Sequence, residues 1–469
     1  MISAILDKII SVVLIVTLVT TALAHGTVEP WSIALFELIV LILMFLAGAK
    51  FFFDKKIELA VPAAALPLLA LLALGVIQSI ALTGNDGRLN SLSIDVEATR
   101  QTVTVLFFVT VVFLLVANSF SSRERLHSLV NFLVIYGLVL SVFALIQHFT
   151  WDGRFYWMRP NTQSTSPFGP FVNHNHFAGY VEMLIPLSLA LAIIKGARAE
   201  ARMFYLFAAG VMCVAVLASL SRGGMISVAV SATVVAIWAW SREASGKSRT
   251  RRSSSRLFVF ARNAALAVII LACAGLSLLW VGPDRLADRI SRSGVSGDAQ
   301  ESETFYESRG WIWEDTLRMI QANPLFGIGL GAYETAYPVY RKEDRQLRVR
   351  QAHNDYLQII ADCGLVGGLI AAWFIFAVFR VIRRGARARD PFIAALALGS
   401  GGGILAMMVH SLVDFNLQLP SNALMFLLMV AAASNAAAQV SSQQVLHESV
   451  RVDSEKFRRE RVMPAATVR

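Results

Sequence analysis

The stretch "YLQIIADCGLVGGLIAAWFIFAVFR", residues 356–380, decides the fold class of this chain. Between Tyr356 and Arg380 it carries a single charged residue, Asp362. Its length exceeds the roughly 20 residues that an α-helix needs to cross a hydrocarbon layer about 30 Å thick. Eleven further apolar stretches lie near 8–24, 31–53, 60–82, 102–120, 126–149, 175–194, 203–220, 224–240, 263–282, 392–413 and 420–438. The expected fold is therefore all-α, a polytopic membrane bundle of about 12 transmembrane helices.

The overall composition also indicates a membrane protein. Of the 469 residues, 56% are apolar and 16% are charged, whereas soluble domains contain about 45–50% and about 25%. The net charge of +10 is explained mostly by Lys and Arg in the predicted cytoplasmic loops, so we expect no nucleic-acid partner. The three cysteines, Cys213, Cys273 and Cys363, lie in or beside apolar stretches, which predicts neither disulfides nor a metal site.

The distribution of Lys and Arg predicts the orientation in the membrane. With the N-terminus in the cytoplasm, the cytoplasmic loops contain most of these cations. The short outer loops then contain only Arg88, Arg100, Arg154, Arg159 and Arg222. Because short cytoplasmic loops are enriched in Lys and Arg, we expect both termini in the cytoplasm.

Five parts follow from this topology. They are transmembrane helices 1–5 (1–149), helices 6–9 with the outer loop 150–174 (150–282), a large outer loop (283–355), helices 10–12 (356–438) and a cytoplasmic tail (439–469). Long structured loops are usually functional. Within the large loop we expect an amphipathic helix that begins at Ser308 and stops at Asn323-Pro324.

Two polar motifs mark the outer ends of predicted spans. In "GPFVNHNHFAGY" (169–180), Asn173 and Asn175 stand at a helix start, where one asparagine suffices to cap backbone N–H groups. The histidines beside them have no acidic or third histidine partner nearby in sequence, so we expect no metal there. In "LSRGGM" (220–225), Arg222 is either an interfacial anchor or the partner of an anion, because a lone cation at this depth is costly.

Two further motifs involve the large loop. Arg309 stands at the start of the expected amphipathic helix and, taken alone, is an ordinary solvated arginine. "RVRQAHNDYLQII" (348–360) continues a basic segment with Arg345, Arg348 and Arg350 and leads to His353, directly before an apolar span. Helix N-termini bind anions such as phosphate, and an imidazole there can exchange a proton near neutral pH.

The residues around His353 suggest different tasks. We expect Asn354 and Asp355 to cap the following helix. For His353 itself, a plain interfacial histidine and a general base stay equally open on physical grounds. In a fifth motif, "VHSLVDFNLQLPS" (409–421), His410 and Asp414 are four residues apart and would share one helix face. We interpret them as a structural hydrogen-bonded pair.

These motifs in this order resemble the O-antigen ligase and Wzy-type polymerase superfamily of bacterial membrane glycosyltransferases. The resemblance covers roughly 165–420 and depends most on two stretches, "SRGWIWEDTLRMIQANPLFGIGLGAY" (308–333) and "QAHNDYLQIIADCGLVGG" (351–368). It implies a GT-C-like helical bundle in the bacterial inner membrane, with a large, partly helical periplasmic loop and the active site facing the periplasm. No metal or other cofactor is implied.

The resemblance also implies an inverting transfer. The donor is an undecaprenyl-diphosphate-linked glycan, and the acceptor is a sugar hydroxyl on lipid A core or on a second lipid-linked glycan. The implied catalytic residues are Arg222, Arg309 and His353. The expected substrate-binding residues are Asn173, Asn175, Arg345, Arg348, Arg350, Asn354 and Tyr356. Expected partners also include membrane lipids and other proteins of polysaccharide assembly.

Other functions remain open at this point. Twelve spans with both ends inside also suit a solute transporter, and some relatives have been labelled bicarbonate transporters. Transporters place ionisable residues and broken helices at mid-membrane, whereas the polar motifs here gather at one membrane face. This contrast favours an interfacial enzyme over a transporter. A scaffold in a polysaccharide export complex would leave the arginine and histidine motifs unexplained, and ligase and polymerase are not distinguished.

Overall fold

The computed structural model describes residues 2–54, 59–83, 89–161, 166–193, 198–245, 299–342 and 348–462. Some of the expectations above concern residues outside these ranges. They include the predicted span 263–282 with Cys273, and the positions of Arg88 and Arg345.

Helices make up almost all of the described chain. In order they are α1 (Ile2–Leu23), α2 (Pro30–Phe53), α3 (Ala65–Gln78), α4 (Val96–Ser119), α5 (Arg123–Phe149), α6 (His174–Glu182), α7 (Leu184–Ile193), α8 (Ala199–Ala218), α9 (Arg222–Ser245), α10 (Ala299–Ala322), α11 (Tyr333–Tyr340), α12 (Asp355–Gly385), α13 (Pro391–His410) and α14 (Pro420–Val462). Two antiparallel pairs of two-residue strands are β1 (Leu82–Thr83) with β2 (Leu89–Asn90) and β3 (Arg154–Phe155) with β4 (Arg159–Pro160).

The all-α polytopic membrane class is confirmed. Among the described residues, ten helical segments are long and apolar enough to cross a membrane. The span predicted over 60–82 is wrong in length, because its helix α3 has only 14 residues. It begins after Pro62, and at its end the Gln78 amide donates to the backbone carbonyls of Phe326 and Asp362. The polar end of α3 is therefore used to hold a loop rather than to extend a span.

The helices divide into a core and a lipid-facing shell. In their most apolar 18-residue windows, 94% of the segment His174–Ile193 and 83% of Pro420–Ser441 are buried, against 22% of α1 and 17% of α12. Glycines on α13 bring it close to α7, since a Cβ added at Gly399 would lie 2.7 Å from the Leu187 Cα. Small residues at such contacts are typical of helix packing in membranes.

The central segment His174–Ile193 is broken between α6 and α7. Pro186 follows four residues after Glu182, and a proline removes the backbone hydrogen bond to the residue four positions earlier. The break leaves Glu182 at the end of α6, fully buried. An ionisable side chain thus enters the interior of the bundle.

The loop after α10 is clamped onto the membrane helices. Gly327, Gly329 and Gly331 have positive φ angles of 70°, 110° and 81°, which suit glycine because it lacks a Cβ. The backbone N–H of Gly331 donates to Asp362 Oδ2 at 3.1 Å. This explains the glycine-rich part of "NPLFGIGLGAY" as a close-packed joint between the large loop and α12.

The expected start of the amphipathic helix is wrong. Helix α10 begins at Ala299, nine residues before Ser308, and ends at Ala322 as Asn323-Pro324 predicted. Residues 299–307, "AQESETFYE", contain several strong helix formers, so the helix extends toward its N-terminus. Ser308 is consequently an interior residue and not a cap.

Candidate functional site

Several helices converge on the short connection between α13 and α14, which we call the 410–416 turn. The backbone N–H of Asp355 donates to the Ser411 carbonyl at 2.9 Å, so the start of α12 is bonded to this turn. A Cβ added at Gly179 of α6 would lie 2.5 Å from Asn416 Oδ1. One added at Gly223 of α9 would lie 2.5 Å from His410 Cδ2. Motifs far apart in sequence therefore meet at one end of the bundle.

His353 lies over this turn in an unusual backbone conformation. Its φ angle is 49°, in the left-handed region that costs energy for a residue with a side chain. Its ring meets the ring of Phe415 edge-on, with centroids 4.8 Å apart. Its Nδ1 lies 3.5 Å from Oδ1 of Asp414. The side chain is 30% exposed, so one side of the imidazole remains accessible from outside while the other faces a buried carboxylate.

Asp414 is a buried carboxylate in an electropositive setting. Burial by itself raises the pKa of Asp414. The contact with His353 and the charges of His176, His353 and His410 outweigh burial and hold this pKa well below its usual value of 3.8. Asp414 is therefore ionised at neutral pH.

The expected pairing of His410 with Asp414 is wrong. Helix α13 ends at His410, and Asp414 lies beyond it in the turn, so the four-residue spacing does not put them on one helix face. His410 Nδ1 instead lies 2.9 Å from Glu182 Oε2. The side chains of His410 and Glu182 are 1% and 0% exposed. Asp414 faces His353 instead of His410.

The residues after His353 divide their roles differently from the expectation. Asn354 is confirmed as the cap of α12, because its Oδ1 accepts from the backbone N–H groups of Tyr356 and Leu357, both at 3.0 Å. Asp355 was expected to cap as well, but its carboxylate accepts from the Ser411 hydroxyl at 2.7 Å and from the Leu417 N–H at 3.2 Å. Asp355 fastens the turn beneath His353.

Arg222 is presented by a tight turn at the start of α9. Leu220 has a φ angle of 60°, and the Ser221 hydroxyl accepts from the Gly224 backbone N–H at 3.2 Å. The two glycines after Arg222 admit close neighbours, His410 against Gly223 and Ala178 against Gly224. The backbone of the turn is thus fixed on both sides, and the Arg222 side chain is exposed.

Arg309 approaches the same region from the large loop. It lies one helical turn before Trp313 on α10, so the two share a helix face. The Trp313 indole N–H donates to the carbonyl of Ala352 at 3.0 Å. Since Ala352 directly precedes His353, this bond ties the helix that carries Arg309 to the backbone of the candidate base.

The predicted substrate-binding residues lie in different parts of the structure. Asn173 caps α6 by accepting from the Asn175 N–H at 2.8 Å. Tyr356 donates its hydroxyl to the Met408 carbonyl at 2.8 Å. Arg348 and Arg350 lie farther out and both approach the Glu334 carboxylate, so neither is aimed at the 410–416 turn by its ion pair.

A mainly apolar cavity of about 280 Å³ lies beside the turn, between α3, α4, α12 and α14. Leu71, Leu106, Ile370 and Phe426 are typical of its walls. Polar groups line it as well, and they include residues that hold or flank the turn, namely Asp355, Tyr356, Ser411 and Gln418. The arrangement suits a molecule with a long apolar part and a polar head.

Several buried polar atoms near the turn have no hydrogen-bond partner in the described structure. They are His176 Nε2, Glu182 Oε1, His353 Nδ1, Asp355 Oδ1 and Asn416 Nδ2. Buried polar atoms are normally bonded, and exceptions tend to mark functional sites or bound water. In the described ranges, no group of three or more His, Cys, Asp and Glu side chains could hold a metal ion.

The sequence motifs do not single out two residues that lie at this site. The motif 409–421 suggests Asp414 only as a partner for His410, and no motif includes Glu182. Glu182 is nevertheless an acidic residue within an apolar stretch, where ionisable residues are rare.

Comparison with known proteins agrees with the resemblance seen in the motifs. Residues 178–372 match the family model described as O-antigen ligase, so this segment is similar to the O-antigen ligases of the Wzy superfamily. The match contains Arg222, Arg309 and His353 and covers fewer than half of the 469 residues. No curated protein matches the chain.

Proposed function

We propose that this multi-pass membrane protein, which carries an O-antigen ligase domain over residues 178–372, is a glycosyltransferase. It moves an undecaprenyl-diphosphate-linked glycan onto a sugar hydroxyl at the periplasmic face of the bacterial inner membrane. The observation that carries the proposal is the partly exposed His353 imidazole, whose Nδ1 lies 3.5 Å from the buried carboxylate of Asp414. Such a pair forms a general base.

His353 would accept the proton of the attacking hydroxyl. As the acceptor oxygen attacks the anomeric carbon, the bond to the diphosphate breaks and the hydroxyl proton passes to the imidazole. Asp414 stabilises the imidazolium that forms, because its own lowered pKa keeps it ionised. A direct displacement of this kind inverts the anomeric configuration.

Arg222 and Arg309 would hold the diphosphate. A guanidinium binds two phosphate oxygens at once through its planar fork, and it offsets the charge that builds on the leaving group. The fixed turn before Arg222 and the Trp313–Ala352 bond beside Arg309 support this role, since both limit the movement of the arginine backbones. No metal is needed in this scheme.

The cavity beside the turn would take the lipid part of the donor. Its apolar walls match a polyprenyl chain, and its polar lining near Asp355 and Ser411 lies beside the 410–416 turn. Tyr356 lines this cavity, and together with Asn173 and Asn175 at the start of α6 it would contact the sugar or the phosphates. Arg348, Arg350 and Arg345 would supply a basic approach for anionic acceptors such as lipid A core.

Glycan profiling of a deletion strain tests the proposal. Wild type should restore the surface glycan, whereas His353→Ala should not. Loss of long chains with single repeat units still attached indicates a polymerase, and loss of all attachment indicates a ligase. Either result supports the proposed glycosyl transfer.

A matched variant controls for damage to the fold. His127→Ala removes an exposed histidine on α5, whose Nδ1 lies 3.1 Å from the Asn131 amide, and should restore glycan like wild type. Unchanged glycan in the His353→Ala strain, together with altered solute uptake, would overturn the proposal and favour a transporter.

A further inference from the structure

One buried contact between a carboxyl group and an imidazole, beside the 410–416 turn, is not used by the proposed reaction. Glu182 and His410 are almost completely buried, and His410 Nδ1 lies 2.9 Å from Glu182 Oε2. Burying a carboxylate costs several kcal/mol unless it is paired. Glu182 Oε1 nevertheless has no partner in the described structure. Apolar side chains in place of Glu182 and His410 would fill this space without burying polar groups. Packing alone therefore does not explain why these two residues are present.

The His410 ring supports the turn that carries Arg222. A Cβ at Gly223 would lie 2.5 Å from His410 Cδ2 and 2.6 Å from Nε2, so the imidazole edge touches the backbone one residue after Arg222. The contact of His410 Nδ1 with Glu182 Oε2 favours the ring orientation in which Cδ2 and Nε2 face Gly223.

The turn itself depends on such support. Leu220 has a positive φ angle of 60°, and residues in this region persist only where the surroundings hold them. Ser221, fully buried, bonds back to Gly224. His410 lies against Gly223 and Ala178 lies against Gly224, so the backbone that carries the exposed Arg222 side chain is in contact with both.

We propose that Glu182 is a positioning residue, which orients His410 and thereby sets the direction in which Arg222 meets the diphosphate of the donor. The inference deepens the proposed function and rests on it for the identity of the ligand. Glu182 and His410 do not touch substrate. Their effect passes through the backbone at Gly223.

Binding of undecaprenyl diphosphate to the purified full-length chain in nanodiscs tests this role. Glu182→Gln should weaken the affinity about tenfold, within the range measured for residues that are coupled through a shared network. Glu182→Ala should weaken it further, and Arg222→Ala should remove most of it. In the Arg222→Ala background, Glu182→Gln should have no additional effect on the residual affinity. Independent, additive losses would overturn the inference.

A second buried polar residue separates positioning from stability. Asn435 donates to the carbonyls of Ala117 and Phe120 at 2.9 and 3.0 Å, away from the 410–416 turn. Asn435→Ala should lower Tm and leave the affinity for undecaprenyl diphosphate unchanged. If Asn435→Ala and Glu182→Gln lower Tm and affinity in the same proportion, Glu182 is merely structural.

A labelling experiment is independent of the ligand. Arg222→Cys is labelled with a small water-soluble maleimide, once in the chain with Glu182 and once in the chain with Glu182→Gln. The labelling of matched chains that keep Arg222 is subtracted from each. The two labelling rates should then differ several-fold. Equal rates would overturn the inference. Wild type that fails to bind undecaprenyl diphosphate would instead overturn the proposed function, and the labelling rates would still decide the role of Glu182.

Discussion

Two carboxylates at the same end of the bundle, Asp362 and Asp414, are equally buried but have different surroundings. Among the described residues, Asp362 accepts from amide donors, the Gly331 N–H and the Gln358 side chain, and the bond from Gly331 joins the large loop to α12. Asp414 faces the imidazole of His353. An amide partner keeps its protons, whereas an imidazole exchanges one near neutral pH. Burial alone therefore does not distinguish the two carboxylates, whereas the side chains that face them do.

Replacing each carboxylate by its amide should separate the two roles most clearly. Asp414→Asn should lower the transfer rate on the order of a hundredfold, because a neutral amide does not stabilise the imidazolium on His353. Asp362→Asn should chiefly reduce stability, by about 1–3 kcal/mol, since one of its acceptor oxygens becomes a donor. Transfer assays and Tm of the purified variants check this. A greater loss of transfer rate in Asp362→Asn than in Asp414→Asn would contradict the roles assigned to the two carboxylates.

Two glycines extend the comparison to the arginine motifs. Gly223→Ala should cost about 1–3 kcal/mol of stability, because the new Cβ overlaps the His410 ring. Gly310→Ala adds a Cβ with nothing within 4 Å in the helix α10, and it should gain up to about 1 kcal/mol. Thermal unfolding of both variants measures the difference. A Gly223→Ala protein as stable as wild type would mean that His410 does not support this turn.

The pH dependence of stability tests the charge assigned to Asp414. Its pKa in the folded chain is below the usual 3.8, so its contribution to stability is complete above that value and is lost as the pH falls through the lower folded pKa. The Tm difference between wild type and Asp414→Asn should therefore stay constant from about pH 8 to about pH 5 and shrink below about pH 4. A difference that already shrinks between pH 7 and pH 5 would show that Asp414 titrates higher.

The smallest effect is expected at the outer basic segment. Arg348 has a 75% exposed side chain and pairs with Glu334, and exposed ion pairs contribute little to stability. Arg348→Ala should leave Tm unchanged and weaken donor binding less than about threefold, with the loss largest at low salt. A tenfold loss that persists in high salt would place Arg348 inside the site and not at its entrance.

The sequence predicts the membrane fold well because apolar length is a local property. Each stretch of about 20 apolar residues can be read without knowing its neighbours. The length of α3 is different, since its end is decided by Gln78, whose amide bonds to backbone atoms almost 250 and more than 280 residues away. No local pattern reports such a partner.

The site shows the same limit. Capping by Asn354 follows from local chemistry and is confirmed. The partners of His410 and Asp414 were assigned wrongly because the four-residue rule holds only within a helix, and α13 ends at His410. Glu182, the actual partner, is 228 residues away from His410. The catalytic roles of Arg222, Arg309 and His353 stay predictions that the variants above can test.

The shortness of α3 has a consequence for how the reaction would be measured. At about 1.5 Å per residue, its 14 residues extend only about 21 Å, less than the thickness of the hydrocarbon layer. This helix forms one wall of the cavity proposed for the donor lipid. In the proposed reaction, a donor that arrives past such a wall would travel in the plane of the bilayer and would not pass through bulk water. Its rate of capture would follow its mole fraction among the lipids, and diluting the vesicles in buffer would leave turnover unchanged.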